Sequence, residues 1–327
     1  TLPWTTCQCA MRISHVLAVA FSALMATSCQ SVSSTNYAEK ENQRDFTVEA
    51  GGASYTVSMF PRTFSALAGP AFSLVLVSPL LVADEALYNS GRASIIPWFN
   101  ARGVTVWLVR IPQHSQIERF GREILPQVTT AIRKNSNDES WVMAGISLGG
   151  QAVAHYLNDA PRNATVSGML VKSAFFLGTG FDYNYPGAFT RRLAALQDNK
   201  AGNLCSENFC KRFLPSLPEN LVGSRTQLFD AAGKPVWRDT LESVQLKDKG
   251  VRIFFLAGKI DNVAPSESVY KFYVRTIGDE RKTSADFRFM LPGKMNRHGK
   301  DFDHGMMVAS DELASEILPD ILKWIDL

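Results

Sequence analysis

The chain has 327 residues, of which 46% are hydrophobic and 20% charged, with 15 Pro and 22 Gly. That is the make-up of a globular chain able to bury a sizeable core, and it excludes a disordered or fibrous one. The net charge of +3 comes from 34 Lys and Arg against 31 Asp and Glu, and the cations are scattered, so the basic stripe of a nucleic-acid binder is missing.

Near the N-terminus, Met11 and Arg12 precede an apolar run from Val16 to Met25, followed by Ala26, Thr27, Ser28 and Cys29. A charged start, an apolar segment of about ten residues and small residues before a cysteine form an export signal, too short to span a bilayer. Met11 is read as its start, with residues 1–10 upstream of it. The layout resembles a bacterial lipoprotein signal, which implies that Cys29 becomes the lipidated first residue of an exported, membrane-anchored protein facing the periplasm or the exterior. An ordinary cleaved signal with Cys29 incidental is the plainer reading. Residues 29–45 are rich in Ser, Asn, Glu and Gln, a composition that cannot bury itself and reads as a tether.

The body of the chain is read from residue 46. Phe46–Val48 and Tyr55–Met59 alternate around Gly51 and Gly52, predicting a hairpin. Short apolar runs follow at Phe72–Val77, Val104–Val109, Trp141–Ala144, Val166–Val171, Val251–Leu256 and Phe287–Leu291, as in buried parallel strands. Helical spacing occupies Ala93–Arg102, Ser115–Lys134, Leu148–Asn158 and Asp311–Ile325. Strand and helix alternate, so the expected fold class is α/β, with helices on both faces of a mostly parallel sheet.

The alternation breaks over residues 175–247, read as an inserted, helical cap. Its aromatics, Phe175, Phe176, Phe181, Tyr183, Tyr185 and Phe189, suit either an acyl pocket or plain core. The cap also holds Cys205 and Cys210. With Cys7 and Cys9 ahead of the mature chain and Cys29 lipidated, this pair is left, and an exported protein permits a disulfide between them.

The sharpest motif is Gly145-Ile146-Ser147-Leu148-Gly149, between the strand ending at Ala144 and the helix from Leu148. A nucleophile on a tight strand-to-helix turn needs small neighbours two residues to each side, where strand and helix crowd. A glycine-rich helix start would not need serine there. Serine becomes a nucleophile when an imidazole takes its proton, and the imidazole needs an orienting carboxylate. Asp261, in the turn after Val251–Leu256, is the candidate acid, although Asp in a turn commonly bonds its own backbone. His304 is the candidate base, with His298 in the same loop as the alternative and His155 read as a packed or surface residue. One oxyanion donor is expected at the N–H of Leu148. The other is placed in the loop after Phe72–Val77, at Leu80, because Pro79 has no N–H.

The order Ser147, Asp261, His304 resembles the α/β-hydrolase family over residues 46–327. That resemblance implies an eight-stranded, mostly parallel sheet with a cap after the sixth strand, and acyl transfer through an acyl-serine. The expected activity is hydrolysis of carboxylic esters, small or lipidic, by a serine esterase or lipase-like enzyme. An aminopeptidase, amidase or thioesterase of the same fold would use the same residues, and a non-catalytic envelope scaffold is the reading from another class. No metal-ligand cluster or phosphate-cradling glycine loop is found, so no cofactor is expected.

Overall fold

The computed structural model describes residues 43–63, 72–79, 85–88, 93–112, 115–160, 165–166, 169–180, 243–277 and 286–326. All belong to one compact unit, Ala38–Leu327.

The predicted hairpin forms from β1 (Arg44–Ala50) and β2 (Ala53–Phe60), paired antiparallel in register from Arg44–Met59 to Ala50–Ala53. Gly51 and Gly52 close it with φ of 56° and 81°, left-handed at both central positions, as the favoured two-residue hairpin turn requires.

The other strands are β3 (Ser73–Val77), β4 (Thr105–Val109), β5 (Ser140–Ile146), β6 (Thr165–Val166), β7 (Met169–Leu177), β8 (Arg252–Leu256) and β9 (Phe287–Met290). Their order across the sheet is β1-β2-β4-β3-β5-β7-β8-β9, with the short β6 beside β7. From β4 to β9 this path is parallel. Connections from β3 run first to β4 on one side and then to β5 on the other, so the crevice of an open α/β sheet falls at the carboxyl ends of β3 and β5.

The central strands are continuous apolar runs because both faces are covered. Leu74–Val77 and Trp141–Ala144 are wholly buried. Around them lie α1 (Glu85–Tyr88), α2 (Ile95–Asn100), α3 (Ile117–Arg119, Phe120–Ile124, Leu125–Lys134), α4 (Leu148–Asp159), α5 (Ser266–Ile277) and α6 (Leu313–Ile317, Leu318–Ile325). Among the described residues, no helix is long and apolar enough to cross a membrane.

Two helices share an unusual step. In α3 the N–H of Leu125 donates to the carbonyl of Phe120, and in α6 that of Leu318 donates to Leu313, five residues back instead of four. Each wide turn ends in the same tetrapeptide, Glu123-Ile124-Leu125-Pro126 and Glu316-Ile317-Leu318-Pro319. Proline has no N–H to give and its ring crowds the carbonyl four residues before it. A single π-turn relieves that clash without ending the helix.

Four expectations are corrected. The predicted strand Val166–Val171 is a reversal: β6 turns back on β7, Val166 opposite Met169. Phe175 and Phe176, read as cap, continue β7 to Leu177 and are wholly buried in the sheet between β5 and β8. At the other end of the predicted cap, Val244 and Leu246 are buried in the same core. Residues 181–242 of the cap, with Phe181, Tyr183, Tyr185, Phe189, Cys205 and Cys210, lie outside the described residues, as do the signal and residues 29–42 of the tether, including Cys29. Arg44 and Asp45, read as the end of the tether, open β1 instead. Helix α5 was not among the predicted helices.

Candidate active site

Strands β3, β5, β7 and β8 are each tied to a neighbour one residue past the carboxyl end, which fixes where the connecting loops begin. Ser78 N–H donates to Val109 O at 2.9 Å, Ser147 N–H to Leu177 O at 2.9 Å, Gly178 N–H to Leu256 O at 3.0 Å and Ala257 N–H to Met290 O at 3.0 Å. The predicted site residues follow from these anchored ends.

Ser147 stands between β5 and α4 with φ 52° and ψ −124°. It is one of two described non-glycine residues with positive φ. A side chain in that region costs about 1–3 kcal/mol, and such strain persists only where surrounding structure enforces it. The enforcement is visible in the glycines. A Cβ on Gly145 would lie 2.5 Å from Gly150 N, and one on Gly149 would lie 2.5 Å from Ser78 O and strike Val77 O. A Cβ on Gly150 would lie 2.7 Å from Thr179 Cγ2. Strand β3, strand β5 and helix α4 therefore meet with no room for a side chain at these three glycines, while Ser147 between them remains partly exposed. Leu148 is the first residue of α4, where the helix geometry leaves the N–H without an intrahelical acceptor.

Asp261 and His304 are each 5% exposed. Nδ1 of His304 lies 2.8 Å from Oδ2 of Asp261; a carboxylate accepts, so the imidazole donates. The other oxygen, Oδ1, accepts the N–H of Val263 at 2.7 Å and of Ala264 at 2.8 Å. One oxygen of Asp261 thus closes its own turn, and the turn aims the other at the histidine. His304 is set by a turn of its own, in which Asp303 Oδ1 accepts the N–H of Met306 at 2.8 Å.

The alternative base, His298, is turned into its own loop, with Nδ1 3.4 Å from Gly293 N. His155 is buried inside α4 beside α3, and no described group bonds either ring nitrogen. Burial foremost, and then the charge of Arg122, lower its pKa from 6.5 to about 4 against the opposing pull of Asp159. It is a packed histidine. Leu80 lies outside the described residues, although the strand leading to it presses against Gly149 through Ser78 O.

Sequence reasoning missed the residues that shape the histidine's seat. Gly178, just past β7, has φ 54°, and a Cβ there would lie 3.2 Å from His304 Nδ1 and 2.8 Å from Met307 Cε. A Cβ on Gly258 would lie 2.6 Å from Phe302 O, 3.0 Å from Met307 Cε and 3.2 Å from Asp261 Cβ. The Met307 methyl thus touches both glycines, under the Asp261–His304 pair. Since the carbonyl of Leu177 holds Ser147 and Gly178 follows it, the end of β7 is shared by the elbow and the histidine. Among the described residues, no cluster of His, Cys, Asp and Glu could hold a metal ion.

No protein-family model matches the chain, and no curated protein matches it in sequence. Solved structures do match in shape. The esterase Pf2001 of Pyrococcus furiosus superposes with a TM-score of 0.55 over 87% of this chain and 91% of its own, at 8% identity. The carboxylesterase CesB (YbfK) of Bacillus subtilis gives 0.55 over 86% and 91%, at 15% identity. At such identities the likeness is one of fold, and with the eight-strand path and its parallel centre it gives this chain the α/β-hydrolase fold.

Proposed function

We propose that the protein is a serine hydrolase of carboxylic esters, with Ser147 as nucleophile, His304 as general base and then acid, and Asp261 as the group that holds the imidazole. The observation that carries this reading is the His304–Asp261 hydrogen bond of 2.8 Å, buried at the sheet edge from which the strained Ser147 projects. A proton on Nδ1 leaves Nε2 with its lone pair, the form that takes a proton from a serine hydroxyl. The hydroxyl oxygen then bonds the ester carbonyl carbon, and the proton passes from Nε2 to the departing alkoxide. Water repeats the sequence on the acyl-serine. The oxyanion formed in each half would be met by the N–H groups of Leu148 and Leu80.

The names of the two neighbours, an esterase and a carboxylesterase, agree with an ester substrate, small or lipidic. The N-terminal pattern supports export to a bacterial envelope with Cys29 lipidated, and the remaining pair supports a Cys205–Cys210 disulfide. Membrane fractionation of a Cys29→Ala variant tests the first, and the mass gained on reduction and alkylation tests the second.

The deciding experiment is hydrolysis of a p-nitrophenyl ester series, acetyl to palmitoyl, by wild type beside Ser147→Ala. Hydrolysis that disappears in the variant is expected, with the preferred chain length sizing the acyl site. Equal rates in the two proteins would refute the assignment.

A further inference from the structure

The loop that leads into His304 and the turn that carries Asp261 share an outer rim. Met295 is 83% exposed and Ile260 51%, the two most exposed large hydrophobic side chains among the described residues. The carboxylate of Asp301 stitches the two segments together: its Oδ1 accepts the N–H of Lys294 at 3.0 Å and lies 3.7 Å from Nζ of Lys259. Ile260 N–H donates to Phe302 O at 3.0 Å. Ile260 and Met295 are therefore carried by neighbouring, bonded loops.

The loop that carries Met295 is itself cationic, although the carboxylates of Asp301 and Glu316 accept backbone N–H groups from it. From Gly293 to Lys300 the sequence is Gly-Lys-Met-Asn-Arg-His-Gly-Lys, with three cations and no acid. Asp301 offsets Lys259, and Glu312 holds Lys300 at 2.5 Å. Lys294 and Arg297 form no ion pair among the described residues and are exposed on either side of Met295. The loop is also held in shape. Asn296 and His298 donate their N–H groups to Gly293 O at 2.8 and 3.2 Å, Asn296 Nδ2 donates to Leu291 O at 2.6 Å, and Gly299 N–H donates to Glu316 Oε2 at 3.2 Å. A well-bonded loop that offers a methionine to water between two unpaired cations is arranged for a surface both anionic and apolar just beneath.

We propose that this rim is a docking face for an anionic lipid bilayer. Met295 and Ile260 enter the boundary between headgroups and acyl chains, while Lys294 and Arg297 meet lipid phosphates. This is the cationic and apolar pairing that interfacial binding needs. Lys294 and Arg297 flank Met295 in one short loop, so the apolar anchor and the two cations reach the same surface together, which favours the bilayer over an acidic protein surface. The face is independent of any anchor at Cys29 and of the hydrolytic reading, and it would turn the sheet edge bearing Asp261 and His304 toward the bilayer.

The test is hydrogen exchange on the full chain, read by mass spectrometry over residues 259–262 and 293–301. Vesicles of phosphatidylglycerol in phosphatidylcholine are compared with phosphatidylcholine alone. Protection of both segments by the anionic vesicles only, reduced by salt, is expected. The Lys294→Gln, Arg297→Asn double variant should weaken that local protection roughly 25-fold in lipid concentration, about fivefold per cation; Asn is chosen because it tolerates the positive φ of Arg297. Met295→Asp, which leaves the cations in place, should also weaken it. Protection that is absent, equal on neutral vesicles, or unchanged in both variants overturns the proposal, and the first of these would favour an acidic protein partner.

Discussion

Gly178 lies against the imidazole of His304, close enough that a Cβ would stand 3.2 Å from Nδ1. The glycine also has φ 54°, so Gly178→Ala meets two separate penalties. Positive φ costs an alanine about 1–2 kcal/mol, read as a lowered midpoint in urea. The methyl also pushes the ring away from Asp261, and a misplaced base costs rate more than binding. The expected result is a fall in kcat of at least tenfold with KM within about twofold. A loss of stability with kcat intact would show that the glycine serves the backbone alone.

The two oxygens of Asp261 have different partners, which makes Asp261→Asn a sharp probe. Two backbone donors face Oδ1, so the amide oxygen of Asn settles there and its NH₂ turns to His304. The imidazole must then accept at Nδ1 and carry its proton on Nε2, where it cannot deprotonate serine. Hydrolysis should drop on the order of 10⁴-fold, while thermal stability changes by less than about 1 kcal/mol because both N–H groups keep an acceptor. Asp261→Ala is expected to lose stability as well, by about 1–3 kcal/mol for each backbone donor left orphaned in the interior. The contrast between the two variants separates the turn-closing oxygen from the histidine-holding one.

The parallel centre was legible because strands covered on both faces read as unbroken apolar runs, and Ser147 and Asp261 stood out as candidates because each follows such a run in a turn. What failed had local causes. Lys172 and Ser173 interrupt the run at the middle of β7, yet Ser173 is buried and the Lys172 ammonium sits 5.5 Å over the Phe72 ring. The strand therefore continues through Phe175 and Phe176, where sequence reading began the cap. Helix α5 buries Val269, Phe272 and Thr276 at helical spacing, but exposed Lys271 and neighbouring Arg275 break that stripe in a short segment. Gly178 gave no signal, since its role is set by a histidine far along the chain, visible only once β7 and the His304 loop are side by side.

Gly149 tests how tightly the elbow is built. Its missing Cβ would strike Val77 O and lie 2.5 Å from Ser78 O, and backbone carbonyls at a strand end cannot swing aside as a flexible side chain can. Gly149→Ala should therefore destabilise the fold by about 3 kcal/mol and displace the loop that leads to Leu80. Chemical denaturation measures the first effect. For the second, reaction of Ser147 with a fluorophosphonate probe should slow in whatever folded protein remains. An alanine variant as stable and as reactive as wild type would mean that β3 and α4 can part without cost.

His155 makes stability depend on pH through a group remote from the chemistry. Burial and the nearby Arg122 hold its folded-state pKa at about 4, against 6.5 for a free imidazole. Above pH 6.5 the ring is neutral in folded and unfolded chains alike and contributes nothing to the difference. Between pH 6.5 and about 4 the unfolded chain binds a proton that the folded chain refuses, so stability falls as pH falls. At pH 5 the loss from this group should be about 2 kcal/mol. No described partner is orphaned when the ring is removed, so His155→Leu should be close to wild type in urea denaturation at pH 7.5. At pH 5 the variant should be the more stable protein. Parallel pH profiles for the two would mean that water reaches the ring and that the proton is not refused.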